Sequence, residues 1–236
     1  DSVAVQPIGE GIGQVTAREN EIYFADKTGR EVLNVPSPVA VDAAGVERTA
    51  KLLQDLGHEV EEASPSYDAA ALDEAFWRVM SANTHTNIQL RAAGRTPGPG
   101  DLEPVTRLVA EKGRAVTADE YIRSVQTFHR TGRQFGAFLG KYDILLSTTI
   151  ARTHLPLGTV RMDGSLEEFD REVAPMTAFT SVCNATGVPA MSVPLEWTDD
   201  GLPVGLHFVA RYGAEETLYS LAAQLEEARP WRDRRP

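Results

Sequence analysis

Few side chains in this sequence of 236 residues have both the type and the spacing to do chemistry. Cys183 is its single cysteine, and five histidines are scattered along the chain. A reactive thiol needs a nearby base, a cation or a helix N-terminus to lower its pKa. Cys183 instead precedes Gly187 at an expected helix end, where the dipole disfavours a thiolate, so it reads as a packing residue that can line a pocket. His85, His129, His154 and His207 lack His-Glu-x-x-His or any related metal spacing, and each reads as a surface or hydrogen-bonded residue. Ser192 follows strand alternation and sits in no Gly-x-Ser-x-Gly turn. No Gly-x-x-x-x-Gly-Lys loop is present, and Gly9-Glu-Gly11-Ile-Gly13 lacks the spacing of a dinucleotide fingerprint. No cofactor and no metal are expected. The chain contains no self-contained catalytic set.

The elements that could position these residues centre on Cys183 to Phe208. Gly187 can take the left-handed conformation that ends a helix, and Pro189 prevents its continuation. Ala190–Leu195 is a short apolar run read as a buried strand, Thr198-Asp-Asp-Gly201 has turn chemistry, and Val204–Ala210 is a second strand. Upstream, Asp42 is a candidate N-cap for a helix carrying Val46, Ala50, Leu53 and Leu56, which Gly57 stops before a strand at His58–Val60. A long helix is expected over Ala69–Ala92, a loop over Gly94–Gly100 and a helix over Leu102–Lys112. Thr117-Ala-Asp-Glu120 is a capping box opening a helix to about Lys141, followed by a strand over Tyr142–Ser147. Arg152–Val173 reads as irregular, Ala174–Thr186 as one helix of small residues, and Ala214–Ala228 as the last helix. Near the start, a strand is expected at Glu21–Ala25 with a turn at Lys27–Gly29, and residues 1–20 read as a leader. The fold class is therefore α/β, with residues 21–236 forming the domain.

Composition narrows the function. Apolar residues at 42% and charged residues at 24% are ordinary for a globular protein. The net charge of −11 argues against a nucleic-acid partner. No apolar run reaches the ~20 residues of a membrane span, and one cysteine suits a reducing cytoplasm.

A family resemblance completes the reading. Phe179-Thr180, Asn184-Ala-Thr-Gly187-Val-Pro189-Ala190-Met-Ser192-Val-Pro194 and Gly201-Leu-Pro-Val-Gly205-Leu-His-Phe208 resemble the C-terminal core of the amidase signature family. Leu221–Glu226 with Pro230-Trp231, Ala50–Val60 and Tyr142–Leu146 match it as well, so the likeness covers about residues 40–231. Ala82-Asn-Thr through Asp101-Leu-Glu-Pro104 is most similar to the branch of 6-aminohexanoate cyclic dimer hydrolase-like amidases. The resemblance implies the C-terminal portion of that fold, a mixed sheet covered by helices, and hydrolysis of a linear carboxylic amide by a serine, a second serine with a cis peptide bond, and a lysine base. The family's glycine- and serine-rich segment, which carries the nucleophile, has no match here, so no residue receives a catalytic role and the chain alone is expected to be inactive. Thr177, Phe179, Thr180, Cys183 and Asn184 are the implied substrate contacts, against the alternative that all five pack and cap a helix. Thr177 stands where glutamine-using amidotransferases carry an acidic residue, which favours a neutral substrate. Ser147-Thr148-Thr149 departs from the family's frequent Thr-Pro-Thr. The implied partners are a small amide and the missing N-terminal amidase half or a partner chain, and a homodimer is compatible. The alternative is a non-enzymatic, ligand- or partner-binding remnant of the fold.

Overall fold

The computed structural model describes residues 2–5, 15–18, 21–25, 31–36, 43–152 and 155–235. They divide into two compact units. The first takes the described residues within 1–67, 132–154 and 175–236, and the second those within 68–131 and 155–174.

The first unit is built on a mixed five-stranded sheet. Its strands are β1 (Ser2–Val5), β5 (Glu59–Glu62), β6 (Ile144–Thr148), β7 (Ala190–Trp197) and β8 (Pro203–Ala210), in the order β5-β1-β6-β8-β7. β1 runs parallel to both β5 and β6, whereas β8 is antiparallel to both β6 and β7. Three further strands, β2 (Val15–Arg18), β3 (Glu21–Ala25) and β4 (Glu31–Pro36), form a separate antiparallel sheet in the order β2-β3-β4. The alternation of β6 and β8 separates two faces. Leu146, Leu206 and Phe208 lie fully buried on one face against α1 (Ala43–Asp55) and α7 (Glu215–Ala228), which contribute Val46 and Leu53, and Leu218, Leu221 and Leu225. Leu145, Ser147, His207 and Val209 occupy the other. All five residues of β6 are buried, as expected of a strand covered on both sides.

A β-bulge between Val193 and Glu196 shifts the β7 register, and Glu196 is buried although charged. Two arginines satisfy it. Arg48 Nε and Nη2 donate to Oε2 at 2.9 and 2.7 Å, and Arg229 donates to Oε1 and to the Leu195 carbonyl. Both arginine side chains are more than a third exposed, at 51% and 38%, so solvent screens the pairs. Glu196→Gln is expected to cost about 1–2 kcal/mol, below the ~3–5 kcal/mol of a fully buried pair. Urea denaturation at low and high salt checks this, because the deficit should shrink as salt rises.

The second unit packs α2 (Ala69–Ala92) against α3 (Pro104–Ala115). Asp68 caps α2 by accepting from Ala71 N–H at 2.9 Å. The stripe Val105, Val109, Ala110 and Gly113 buries one face of α3, and Leu72, Ala75 and Ser81 are buried on α2. α4 (Ala118–Leu139) begins in this unit at the expected capping box. Thr117 N–H donates to Glu120 Oε2 at 2.9 Å, and Glu120 N–H donates to Thr117 Oγ1 at 3.2 Å. Phe76 and Phe128 lie with ring centroids 6.4 Å apart.

Two sequence expectations are corrected, and within residues 1–20 the described Ser2–Val5 and Val15–Arg18 are strands. β1 is only four residues long, but Ser2 and Asp143 bind each other: Ser2 N–H donates to Asp143 Oδ2 at 2.8 Å, and Asp143 N–H to the Ser2 carbonyl at 2.9 Å. The stretch read as irregular over Arg152–Val173 contains most of α5 (Leu166–Thr177), opened by a second capping box in which Ser165 and Glu168 exchange hydrogen bonds. The single helix expected over Ala174–Thr186 is instead the end of α5 followed by α6 (Ser181–Thr186). Pro175 has no N–H to continue the ladder, and Thr180 N–H bonds the Thr177 carbonyl at 3.1 Å in a tight turn between them. The expected N-cap at Asp42, the turn at Lys27–Gly29 and His154 lie outside the described residues.

Candidate functional site

The candidate contact residues, with Ser192 and His207, lie around the break between α5 and α6 and on the adjoining sheet. The break exists because the backbone turns at Ala178–Thr180. Ala151 N–H donates to the Pro175 carbonyl at 2.8 Å, pinning the chain after β6 to the end of α5, and Ala151 packs against Phe179. α6 ends at Gly187, whose φ of 75° and N–H bond to the Cys183 carbonyl at 2.8 Å make the expected left-handed stop. The turn between β7 and β8 forms as its sequence indicates: Thr198 Oγ1 accepts from Leu202 N–H at 2.9 Å, and Gly201 has φ 85°.

The five candidate contacts divide by exposure. Thr177 and Asn184 are exposed, Thr180 is half-buried, and Phe179 and Cys183 are buried. The inward pair adjoins a buried cluster in which sequence reasoning missed Tyr67 and the pairing of Ser147 with His207. Tyr67, Phe135, Ser147, Phe179, Val182 and His207 line a void of about 10 Å³, room for about one water. The Tyr67 ring meets Phe135 edge-on, with centroids 6.2 Å apart. Burial pushes the Tyr67 hydroxyl up to about 12, and nearby Cys183 adds to the rise. Burial also pushes the Cys183 thiol up to about 12, so at neutral pH it is a protonated packing group and not a nucleophile.

Ser147 and His207 are the one serine–histidine pair of the described side-chain hydrogen bonds, with Oγ 3.3 Å from Nδ1. Ser147 also donates to the Thr148 carbonyl at 3.2 Å. A carbonyl only accepts and a hydroxyl has one proton, so Nδ1 must carry hydrogen and donate to Ser147. The histidine is thus oriented as a donor to this serine, the reverse of a general base. Burial lowers the His207 pKa to about 4. With Ser147 at 2% and His207 at 3% exposure and a one-water void beside them, no substrate carbonyl reaches this pair. It holds the sheet face together.

On the same face, nearer the surface, Thr149 Oγ1 and Ser192 Oγ lie 2.7 Å apart. They meet above Gly205, where an added Cβ would fall 2.4 Å from Ser192 Oγ and 2.8 Å from Thr149 Oγ1. Gly205 therefore makes room for a two-hydroxyl pad whose Ser192 is exposed. Neither hydroxyl has a base among its described hydrogen-bond partners, so the pad can donate and accept hydrogen bonds but has no activated nucleophile. Among the described residues, no group of His, Cys, Asp and Glu could hold a metal ion, and no helix is long and apolar enough to cross a membrane.

Among the described residues, the sheet face and the helix break carry no base-activated hydroxyl. The amidase family profile matches residues 32–219. The chain belongs to the amidase family. AmiC of Mycobacterium tuberculosis is 33% identical over 224 residues, which cover 93% of this chain and 46% of AmiC. The 6-aminohexanoate-cyclic-dimer hydrolase of Paenarthrobacter ureafaciens is 31% identical over 215 residues, covering 82% and 41%. A solved structure of a 6-aminohexanoate cyclic dimer hydrolase with its substrate superposes with a TM-score of 0.77 at 26% identity, over 100% of this chain and 46% of that one. The mixed sheet covered by helices is the amidase signature fold over about half its length. The chain spans about half the length of the curated relatives it matches.

Proposed function

We propose that this chain is the C-terminal half of an amidase that hydrolyses a linear carboxylic amide, and that its serine–cis-serine–lysine set lies outside these 236 residues. One observation carries the reading: a family match over residues 32–219 that extends over only about half of each relative. The chemistry of the described residues supports it. The buried serine faces a donor, the exposed hydroxyl pad has no base, and the only thiol is held protonated. This half supplies the sheet core and a wall on which exposed Thr177 and Asn184, with Thr180, meet the amide, backed by Phe179 and Cys183. The uncharged character of these five residues favours a neutral amide. The remaining half of the enzyme, on the same or a second chain, completes the site, and the single cysteine fits a cytoplasmic location.

Assaying the 236-residue chain alone against a panel of neutral carboxylic amides, including 6-aminohexanoate cyclic dimer, is expected to give no release of amine. The same chain preceded by, or mixed with, the N-terminal half of its amidase should hydrolyse at least one of them. Turnover by the chain alone would sink the assignment of the nucleophile. An inert complete protein would establish the binding-remnant alternative.

A further inference from the structure

The second unit contains a cleft of about 530 Å³ between the C-terminal half of α2, the loop after it and the start of α3. That is the size of a small-molecule site. Ile88, Pro97 and Leu102 give it apolar walls, while Arg91, Arg95 and Asn87 bring donors. Asp101 is the lining's only acid, so two arginines and one aspartate leave it formally cationic in a chain of net charge −11. The two arginines differ. Arg95 is held by Asp101 Oδ2 at 2.9 Å, whereas Arg91 has no ion-pair partner among the described residues. The wall is also fixed in advance. Ala93 and Gly94, with φ of 49° and 86°, reverse the chain after α2. Asp101 accepts from Gly98 N–H at 2.8 Å, and Arg107 donates to the Gly98 carbonyl at 3.1 Å. Little ordering remains to be done when a ligand enters.

We infer that this cleft binds a small aliphatic monocarboxylate, whose carboxylate takes the Arg91 guanidinium while its alkyl body lies along Ile88, Pro97 and Leu102. A planar guanidinium matches a carboxylate in two parallel hydrogen bonds. The Asp101 carboxylate in the wall disfavours a dianion such as a phosphate monoester. The inference stands on the cleft alone and is independent of the amidase reading.

Titration of the 236-residue chain by calorimetry with hexanoate, with its uncharged counterpart hexanamide and with butyl phosphate tests it. The expected result is saturable one-to-one binding of hexanoate, about tenfold stronger than hexanamide and weakened by salt. Arg91→Ala should lose about tenfold for hexanoate with little change for hexanamide. Arg91→Lys, which keeps the charge at the helix C-terminus but not the fork, should fall between. Arg91 is exposed, and an unchanged thermal transition confirms that each variant folds. Absent saturation, equal binding of hexanamide, butyl phosphate binding as tight as hexanoate, or an Arg91→Ala variant indistinguishable from the parent would each overturn the assignment.

Discussion

Gly113→Ala is expected to destabilise the second unit by about 2–3 kcal/mol, one of the largest losses available from adding a single methyl group. A Cβ built on Gly113 would lie 1.9 Å from the Ser81 carbonyl oxygen and 2.4 Å from its carbon. Both atoms belong to the α2 backbone, so no rotamer relieves the overlap, and the two helices must separate by about an ångström to restore ordinary contact. Separation loosens the buried stripe of Val105, Val109 and Ala110 on α3. Alanine is the better helix former, but that advantage is only about 1 kcal/mol. The clash therefore wins.

Gly136→Ala provides the opposite sign. Gly136 also lies inside a helix, α4, and an added Cβ there meets nothing within 4 Å among the described residues. Only the propensity gain remains, and this variant should be more stable by up to about 1 kcal/mol. Thermal and urea denaturation of both variants beside the parent checks the pair. A fall in midpoint of roughly 5–10 °C is expected for Gly113→Ala, and no fall for Gly136→Ala. A neutral Gly113→Ala would mean that α2 and α3 do not approach this closely.

The β7–β8 hairpin was legible because its signals are local. Gly187 supplies the left-handed stop, Pro189 excludes a helix, and Thr198-Asp-Asp-Gly201 closes the turn, so neighbours in sequence decide the structure. The same holds for α2, and for α4 with its Thr117–Glu120 box. β1 was missed because its identity is non-local: Val3 is buried only once β5 and β6 flank it in parallel. α5 was missed for a different reason. Its box, Ser165-Leu-Glu-Glu168, is the same signal as Thr117–Glu120 and was present to be read, but nearby Pro156, Gly158 and Gly164 suggested a loop.

At the candidate site, the sequence singles out a segment but does not tell which way its residues face. A single helix over Ala174–Thr186 would have set all five candidates in one periodic pattern. The break at Ala178–Thr180 resets that phase, placing Phe179 and Cys183 inward while Thr177 and Asn184 remain exposed. Tyr67 and Phe135, which share the Phe179 void, are distant in sequence and carry no local sign of it. Nor does the pairing of Ser147 with His207, which depends on the β6–β8 register. The resemblance succeeded where residue-level reasoning stopped because motif order survives such rearrangement of individual side chains.

His207 should make the stability of this chain fall as pH drops from 6.5 towards 4. Its ordinary pKa of 6.5 is lowered to about 4 by burial. A base with a depressed folded-state pKa favours its neutral form in the native state, so between pH 6.5 and 4 the unfolded chain binds the extra proton. The contribution is present in full above pH 6.5, declines as pH falls through the window, and is gone below about pH 4. A shift of this size corresponds to about 3 kcal/mol. Tyr67 and Cys183, both raised to about 12, do not titrate in that range. His207→Gln keeps a donor for Ser147 and removes the titration. Urea denaturation at a series of pH values should show the parent losing about 3 kcal/mol more than His207→Gln between pH 7 and pH 4. Parallel curves for the two proteins would mean that His207 accepts its proton without leaving the core, and that the void beside Ser147 is wetter than its volume indicates.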